Sequence, residues 1–190
     1  MKLLIATGNG GKLREIAGIM RGHECVPLPA GYEAPEENGA SFIENARIKA
    51  KAALEALAAV EADAVIADDS GLCVEAMGGA PGIFSARYGG FGGDRERNDY
   101  LLRQMKGKTK RAAYFECAAV CVFPDGREIT AEGRLYGAIT LEPRGTGGFG
   151  YDPVFELENG LTAAEMPDKN EISHRGGAFR ELRGRLEGLH

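Results

Sequence analysis

No stretch of this chain approaches the about 18 consecutive apolar residues that a membrane helix needs, so no membrane-spanning helix is expected. Cysteine is scarce, with four residues at positions 25, 73, 117 and 121 and no C-x-x-C pair. The one close spacing, Cys117 to Cys121, falls in a strand-like run and does not suit zinc. Reduced, mostly buried thiols are expected instead. Positive charge is also short. Lys and Arg number 23 against 28 Asp and Glu, for a formal net charge of −5. Nucleic-acid surfaces are usually basic, so a nucleic-acid polymer is not the expected partner. A phosphorylated small molecule remains compatible, because a metal supplies positive charge locally. Internal repeats and low-complexity tracts are lacking. The chain enters a strand-like run at Lys2 and meets Gly8 at once, which leaves no apolar core for a secretory signal and makes the cytoplasm the expected location.

What is present fits an ordinary globular chain of 190 residues, 44% of them hydrophobic. That length suits one domain, residues 1–190, or two closely packed lobes. The chain is organised around Val65-Ile-Ala-Asp-Asp-Ser-Gly71. A short apolar run from Ala64 to Ala67 predicts a buried strand, and two carboxylates sit at its C-terminal end. Ligands of open α/β sheets bind outside the carboxyl ends of strands. If the strand continues, Asp68 and Asp69 face opposite sides and do different jobs. One carboxylate there suits Mg²⁺, which takes one or two carboxylates plus substrate phosphates. A solvated Asp-Asp-Ser-Gly turn fits the same residues.

Lys2 to Ala6 predicts a first buried strand, followed by the loop Thr7-Gly-Asn-Gly-Gly-Lys12 and a helix carrying Leu13, Ile16, Ala17 and Met20 on one stripe. Strand, glycine loop and helix form an arrangement that holds phosphate, through backbone N–H groups and the helix dipole, with Lys12 as a point charge. The spacing matches neither the P-loop nor the Rossmann fingerprint, and a plain βα turn fits equally. Glu24 to Leu28 predicts a second strand. A loop with the acidic pair Glu36-Glu37 leads to a long helix opened by the capping box Ser41-x-x-Glu44. On that helix Asn45 and Lys49 are i, i+4 neighbours.

Beyond Asp69 come an alternating run at 72–76, a rigid turn at Gly78-Gly-Ala-Pro-Gly82, and a helix from Asp94 through Leu101, Leu102 and Met105. Lys106-Gly-Lys-Thr-Lys-Arg111 is a basic patch without aromatics and predicts a solvated loop. Ala112 to Phe123 and Glu128 to Tyr136 predict strands joined by an Asp-Gly hairpin, so the sheet is mixed. The segment Arg144–Pro153 packs four glycines around Phe149 and Tyr151. Either ring suits stacking on a base, worth about 1–3 kcal/mol, or anchoring of the loop. The tail places His174-Arg175 just before a helix striped by Phe179, Leu182, Leu186 and Leu189.

Taken together, Thr7–Lys12, Ser41–Ala46 with Lys49, Ala67–Gly71, Gly78–Gly82, Ser85–Tyr88, Gly148–Pro153 and Ile172–Gly176 closely resemble one family, the inosine-triphosphatase-like, non-canonical purine nucleoside triphosphate pyrophosphatases. The resemblance covers nearly the whole chain, with the motifs in family order. The segment Glu165–Lys169 is shorter than the family usually carries. The resemblance implies an α/β fold with a mixed central sheet flanked by helices, two lobes with an active-site cleft between them, and a homodimer. It implies Mg²⁺-dependent hydrolysis of ITP, dITP and XTP to monophosphate and pyrophosphate. Residue by residue, it assigns Asp69 as general base and metal ligand and Glu37 as the second metal ligand. Thr7, Gly8, Asn9, Gly10, Gly11, Lys12 and Lys49 take the triphosphate, and Ser70 touches substrate. Phe149, Gly150, Tyr151 and Asp152 shape the base pocket, and Lys169, His174 and Arg175 contact the base.

Two other functions fit less of the chain. A pyrimidine- or methylated-base pyrophosphatase would share Asp69 and Lys12 without needing His174-Arg175. A silent nucleotide-binding module would not need a positioned base, so Asp68-Asp69 and Glu37 argue against it.

Overall fold

The computed structural model describes residues 1–167 and 172–188. Lys169 and Leu189 lie outside the described residues, and so does whatever Lys169 does for a base. Among the described residues, one six-stranded mixed sheet holds β1 (Lys2–Ile5), β2 (Glu24–Pro27), β3 (Ala64–Val74), β4 (Ala112–Val122), β5 (Glu128–Ile139) and β6 (Phe155–Glu156), in the order β2-β1-β3-β4-β5-β6. β1 runs parallel to β2 and to β3, and β5 runs antiparallel to β6. The α-helices formed wholly by described residues are α1 (Gly10–Ile19), α2 (Phe42–Ala52), α3 (Leu57–Val60), α4 (Asp94–Gln104) and α5 (His174–Glu187). This is the mixed α/β architecture expected from the motifs. None of the described helices is long and apolar enough to cross a membrane.

The chain divides into two compact units. The first comprises Met1–Asp69, Cys117–Gly133 and the segment from Ser173 on. β1 and the first half of β3 bury both faces, as their unbroken apolar runs predict. Leu3 and Ile5 of β1 and Ala64 and Ile66 of β3 pack on Ile16 and Met20 of α1 and on Phe179, Leu182 and Leu186 of α5. Leu4, Val65 and Ala67 point the other way, onto Ala46 and Ala50 of α2. Full burial of a side chain such as Leu182 is worth about 1.5–3 kcal/mol. The period of two that separates these cores continues into the two aspartates.

The second unit, Ser70–Glu116 and Arg134–Ile172, has its own core. Leu72 and Val74 of β3, Phe115 of β4 and Phe155 of β6 enclose Leu101 and Met105 of α4. The Phe115 and Phe155 rings lie 4.5 Å apart, centroid to centroid, and tilted. Arg111 fastens the basic 106–111 segment, donating to the carbonyls of Ile139 and Thr140. Its other residues are exposed, as expected for a solvated loop.

Three local features differ from the sequence expectation. The helix after the glycine loop begins inside it, at Gly10, because Asn9 is an N-cap. The long helix from Ser41 ends at Ala52 and continues as a 3₁₀ turn, Ala53–Ala56, and the short α3. β3 does not stop at Ala67 but runs on through Asp68, Asp69 and Ser70 to Val74, which removes the solvated-turn alternative.

Candidate active site

Asn9 organises the start of α1. Its side chain accepts from the Gly11 and Lys12 N–H groups at 2.8 and 3.1 Å, and its own N–H donates to Thr7 Oγ1. Thr7, Gly8, Asn9 and Lys12 line a cavity of about 210 Å³ together with Glu37 and Lys49. The helix dipole and two ammonium groups thus meet in one small space, the arrangement that suits a phosphate chain. The plain-turn alternative does not account for Lys49 and Glu37 on the same cavity.

The two aspartates of β3 occupy opposite environments. Asp68 is 2% exposed and continues the face shared with α1 and α5. Its Oδ2 receives Lys12 Nζ at 2.9 Å and Arg175 Nε at 3.2 Å. The Cys117 thiol lies at 3.9 Å from the same oxygen. Burial opposes ionisation of Asp68, but Lys12, then Arg175 and Lys49, overcome it and hold the carboxyl well below its ordinary value. Burial and the neighbouring charge of Asp68 push the Cys117 thiol far up, so it stays a neutral, inert group.

Asp69 is buried on the α2 side. Its Oδ2 receives Asn45 Nδ2 at 3.1 Å, and Lys49 Nζ stands 3.5 Å from Oδ1. Burial pushes this carboxyl above its ordinary value; Lys49 and the Asn45 bond pull it back, and Glu37 adds to the rise. A buried carboxylate with a raised pKa suits a general base. Lys49 Nζ also reaches Glu37 Oε1 at 3.3 Å. Burial opposes the charge on Lys49, but Asp69, Asp68 and Glu37 together raise its pKa.

Two carboxylates converging on one ammonium mark a point where a divalent cation fits. Hard oxygen donors of this kind suit Mg²⁺. Among the described residues, Lys12, Lys49 and Arg175 pair with Glu15, Glu37, Asp68 and Asp69. A triphosphate entering such a site requires further positive charge. Among the described residues no group of three or more His, Cys, Asp or Glu side chains is placed to hold a metal ion.

Helical spacing pairs Asn45 with Lys49, and the structure adds a third member, Asp69, which spacing does not indicate. Asn45 is fully buried, and besides Asp69 it binds the Gly39 N–H through Oδ1 at 2.8 Å. It therefore ties β3 to the loop that carries Glu37. The capping box beneath it forms with a small shift. Ser41 Oγ accepts the Glu44 N–H, while Glu44 Oε2 accepts from Ala40 rather than from the cap residue.

His174 and Arg175 lie inside α5, in its first turn, because Ser173 caps the helix through the Gly176 N–H. Both are buried, Arg175 at 2% exposure. Arg175 Nη1 pairs with Glu15 Oε2 at 2.7 Å while Nε holds Asp68. Burial opposes its charge, but Asp68 and Glu15 hold the guanidinium firmly protonated. Glu15, which the sequence reading passed over, also receives Ser173 Oγ at 3.3 Å. Its partners stand about 160 residues away, so no periodicity signals it.

In the second unit the structure separates the two aromatics of the glycine loop. Tyr151 is 5% exposed and donates its hydroxyl to the Ser85 carbonyl at 2.8 Å, so it is the anchor. Phe149 is 44% exposed. Asp152 is buried and accepts the Phe149 N–H at 2.9 Å. A Cβ on Gly148 would come within 2.1 Å of Asp152 Oδ2, so the turn requires glycine there. Ser70 is half-buried within β3.

Comparison with known proteins places these features in context. The model of the Ham1 family matches residues 3–185. A dITP/XTP pyrophosphatase of Streptomyces avermitilis is 46% identical over 193 residues, spanning 95% of this chain and 94% of its own. Among solved structures, the Ham1 protein of Staphylococcus aureus superposes with a TM-score of 0.88 at 36% identity, covering both chains completely. A HAM1 protein from Coxiella burnetii gives the same TM-score at 34% identity over 99% of each chain.

Proposed function

This chain belongs to the Ham1 family, and we infer that it hydrolyses non-canonical purine nucleoside triphosphates, dITP, ITP and XTP, to the monophosphate and pyrophosphate. The observation that carries the reading is the pair of adjacent aspartates in two buried environments, one held ionised by Lys12 and Arg175, the other raised and facing Lys49 and Glu37.

Lys12, the Thr7–Gly11 backbone and Lys49 bind the triphosphate. Asp69 takes the proton of the attacking water as it adds to phosphorus, the α–β phosphoanhydride bond breaks, and pyrophosphate leaves. Asn45 keeps the Asp69 carboxylate in one orientation for that transfer. Glu37 and Asp69 would hold Mg²⁺, which supplies charge stabilisation for the phosphoryl oxygens. Asp68 takes no proton in this scheme; it positions Lys12. Phe149 stacks on the base within the turn shaped by Gly150, Tyr151 and Asp152, and Ser70 touches substrate from β3. His174, Arg175 and Lys169 contact the 6-oxo group. Because Arg175 is committed to Asp68 and Glu15, its contact with a base is made around those two bonds or by exchanging one of them. We also propose a homodimer, on the resemblance, and a cytoplasmic location, on the cysteine usage and the missing secretory signal.

The test is product analysis. The protein is incubated with Mg²⁺ and, separately, dITP, XTP, dGTP, ATP and dUTP. Pyrophosphate and monophosphate from dITP and XTP are the expected outcome. Orthophosphate would mean that the γ-phosphate is attacked, cleavage of dUTP would favour the pyrimidine reading, and no product would favour a binding module.

A further inference from the structure

The first turns of α4 take no part in the reaction described above, yet they grip one residue of the glycine loop through the peptide groups on both sides of it. The Gly150 N–H donates to Asp94 Oδ2 at 2.7 Å, and the Gly150 carbonyl accepts from Asn98 Nδ2 at 3.0 Å. Asp94 and Asn98 are i, i+4 neighbours and present one face of α4. Gly150 has φ of +63°, a conformation that side chains rarely adopt, so its geometry is set by what holds it rather than by local preference.

The grip is itself braced. Arg97 pairs with Asp94 and donates to the carbonyls of Ala86 and Phe91. Asn98 is 4% exposed, and its Oδ1 has no hydrogen-bond partner among the described residues. A buried amide with one end unsatisfied weakens a fold. An apolar side chain of similar size would avoid that loss, so the amide is retained for the single bond it makes to Gly150.

We propose that Asn98 and Asp94 are positioning residues for base selection: they fix the Gly150 peptide, and with it the direction of the Phe149 ring. The inference rests on the reading that Phe149 to Asp152 shapes the base pocket. Neither residue touches substrate. They act through the loop, so their loss affects discrimination between bases and leaves the phosphate end unchanged.

The experiment compares Asn98→Ala, Asp94→Ala and Asp94→Asn with the unaltered enzyme, taking kcat/KM for dITP and dGTP and the inhibition constant of inorganic pyrophosphate. Phe149→Ala serves as the reference for the base pocket. Loss of one hydrogen bond to the loop is expected to lower the dITP-over-dGTP ratio about tenfold, through KM rather than kcat, with pyrophosphate inhibition unchanged. Asp94→Asn keeps an oxygen that accepts the Gly150 N–H and is expected to recover most of the ratio. The Asp94 side chain is 47% exposed, so its variants are expected to fold even if Asn98→Ala does not. If Phe149→Ala changes the ratio and the α4 variants do not, the positioning role is wrong. Equal losses for both bases and for pyrophosphate would reduce α4 to a structural support. If Phe149→Ala itself leaves the ratio unchanged, the base-pocket reading fails and this inference falls with it.

Discussion

Adjacent aspartates on one strand should respond oppositely to the same substitution. Asparagine is nearly isosteric with aspartate, so Asp68→Asn removes one charge from between Lys12 and Arg175 with little change in volume. Removing one partner of a buried ion pair costs about 3–5 kcal/mol, because it strands the other. Here the stranding is partial. Arg175 keeps Glu15 at 2.7 Å, and the Lys12 side chain is 18% exposed and reaches water. The lower end, about 3 kcal/mol, is therefore expected, a fall in Tm of about 6–12 °C for a chain of this length. Asp69→Asn removes a charge that burial already disfavours, and its stability should stay within about 1 kcal/mol of the parent. Its turnover should fall by about 10²–10⁴, the usual contribution of a general base.

The pH dependence has opposite signs as well. Asp68 is depressed in the fold, so the stability it contributes is present above its unfolded value of about 3.9 and is lost only as pH falls through the lower folded value. Asp69 is raised, so its cost sets in as pH rises from about 3.9 to the folded value and persists above it. Thermal unfolding of the three proteins at pH 7 decides the matter, with dITP turnover measured in parallel. Equal melting of Asp68→Asn and the parent, or an equal fall for both variants, would refute the division of roles.

Lys12→Ala should weaken triphosphate binding more than monophosphate binding, measured by titration calorimetry; equal losses would remove its phosphate role. Lys49→Met takes away a charge that lowers the Asp69 pKa, so the acid limb of the kcat/KM profile should move to higher pH, and an unmoved limb would mean that Asp69 is not the titrating base. Arg175→Ala should narrow the preference for ITP over ATP in steady-state kinetics; if it lowers Tm and leaves that ratio intact, Arg175 serves Asp68 and Glu15 alone.

The parts of this molecule written in local pattern were legible in its sequence. The β1–loop–α1 unit, the Ser41 cap, the Asp125-Gly126 hairpin and the stripe of α5 all follow from spacing and turn chemistry, and the structure carries each of them. What was not legible depends on partners distant in the chain. Spacing gives Asn45 only Lys49 as a helix neighbour, and its contacts with Asp69 and Gly39 come from the fold. Glu15 lies in an amphipathic pattern and gains meaning from Arg175. The difference between Phe149 and Tyr151 is one of burial, which two aromatics separated by a single glycine do not reveal. Glycine composition predicts loop up to Lys12, whereas the Asn9 side chain accepts the Gly11 and Lys12 N–H groups and so starts α1 at Gly10.

β3 alternates its side chains between two cores, and that alternation alone distinguishes Asp68 from Asp69. Their chemistry is therefore encoded in the parity of a position. Deleting one residue between Ala64 and Ala67 would bring Asp69 into the pocket of Lys12 and Arg175, and would leave Ser70 facing Lys49 and Glu37. Composition would hardly change, and the enzyme would lose its base. The segment consequently tolerates exchanges of one apolar residue for another far better than any change in length. That asymmetry is measurable in a library that samples substitutions and single deletions across the strand together.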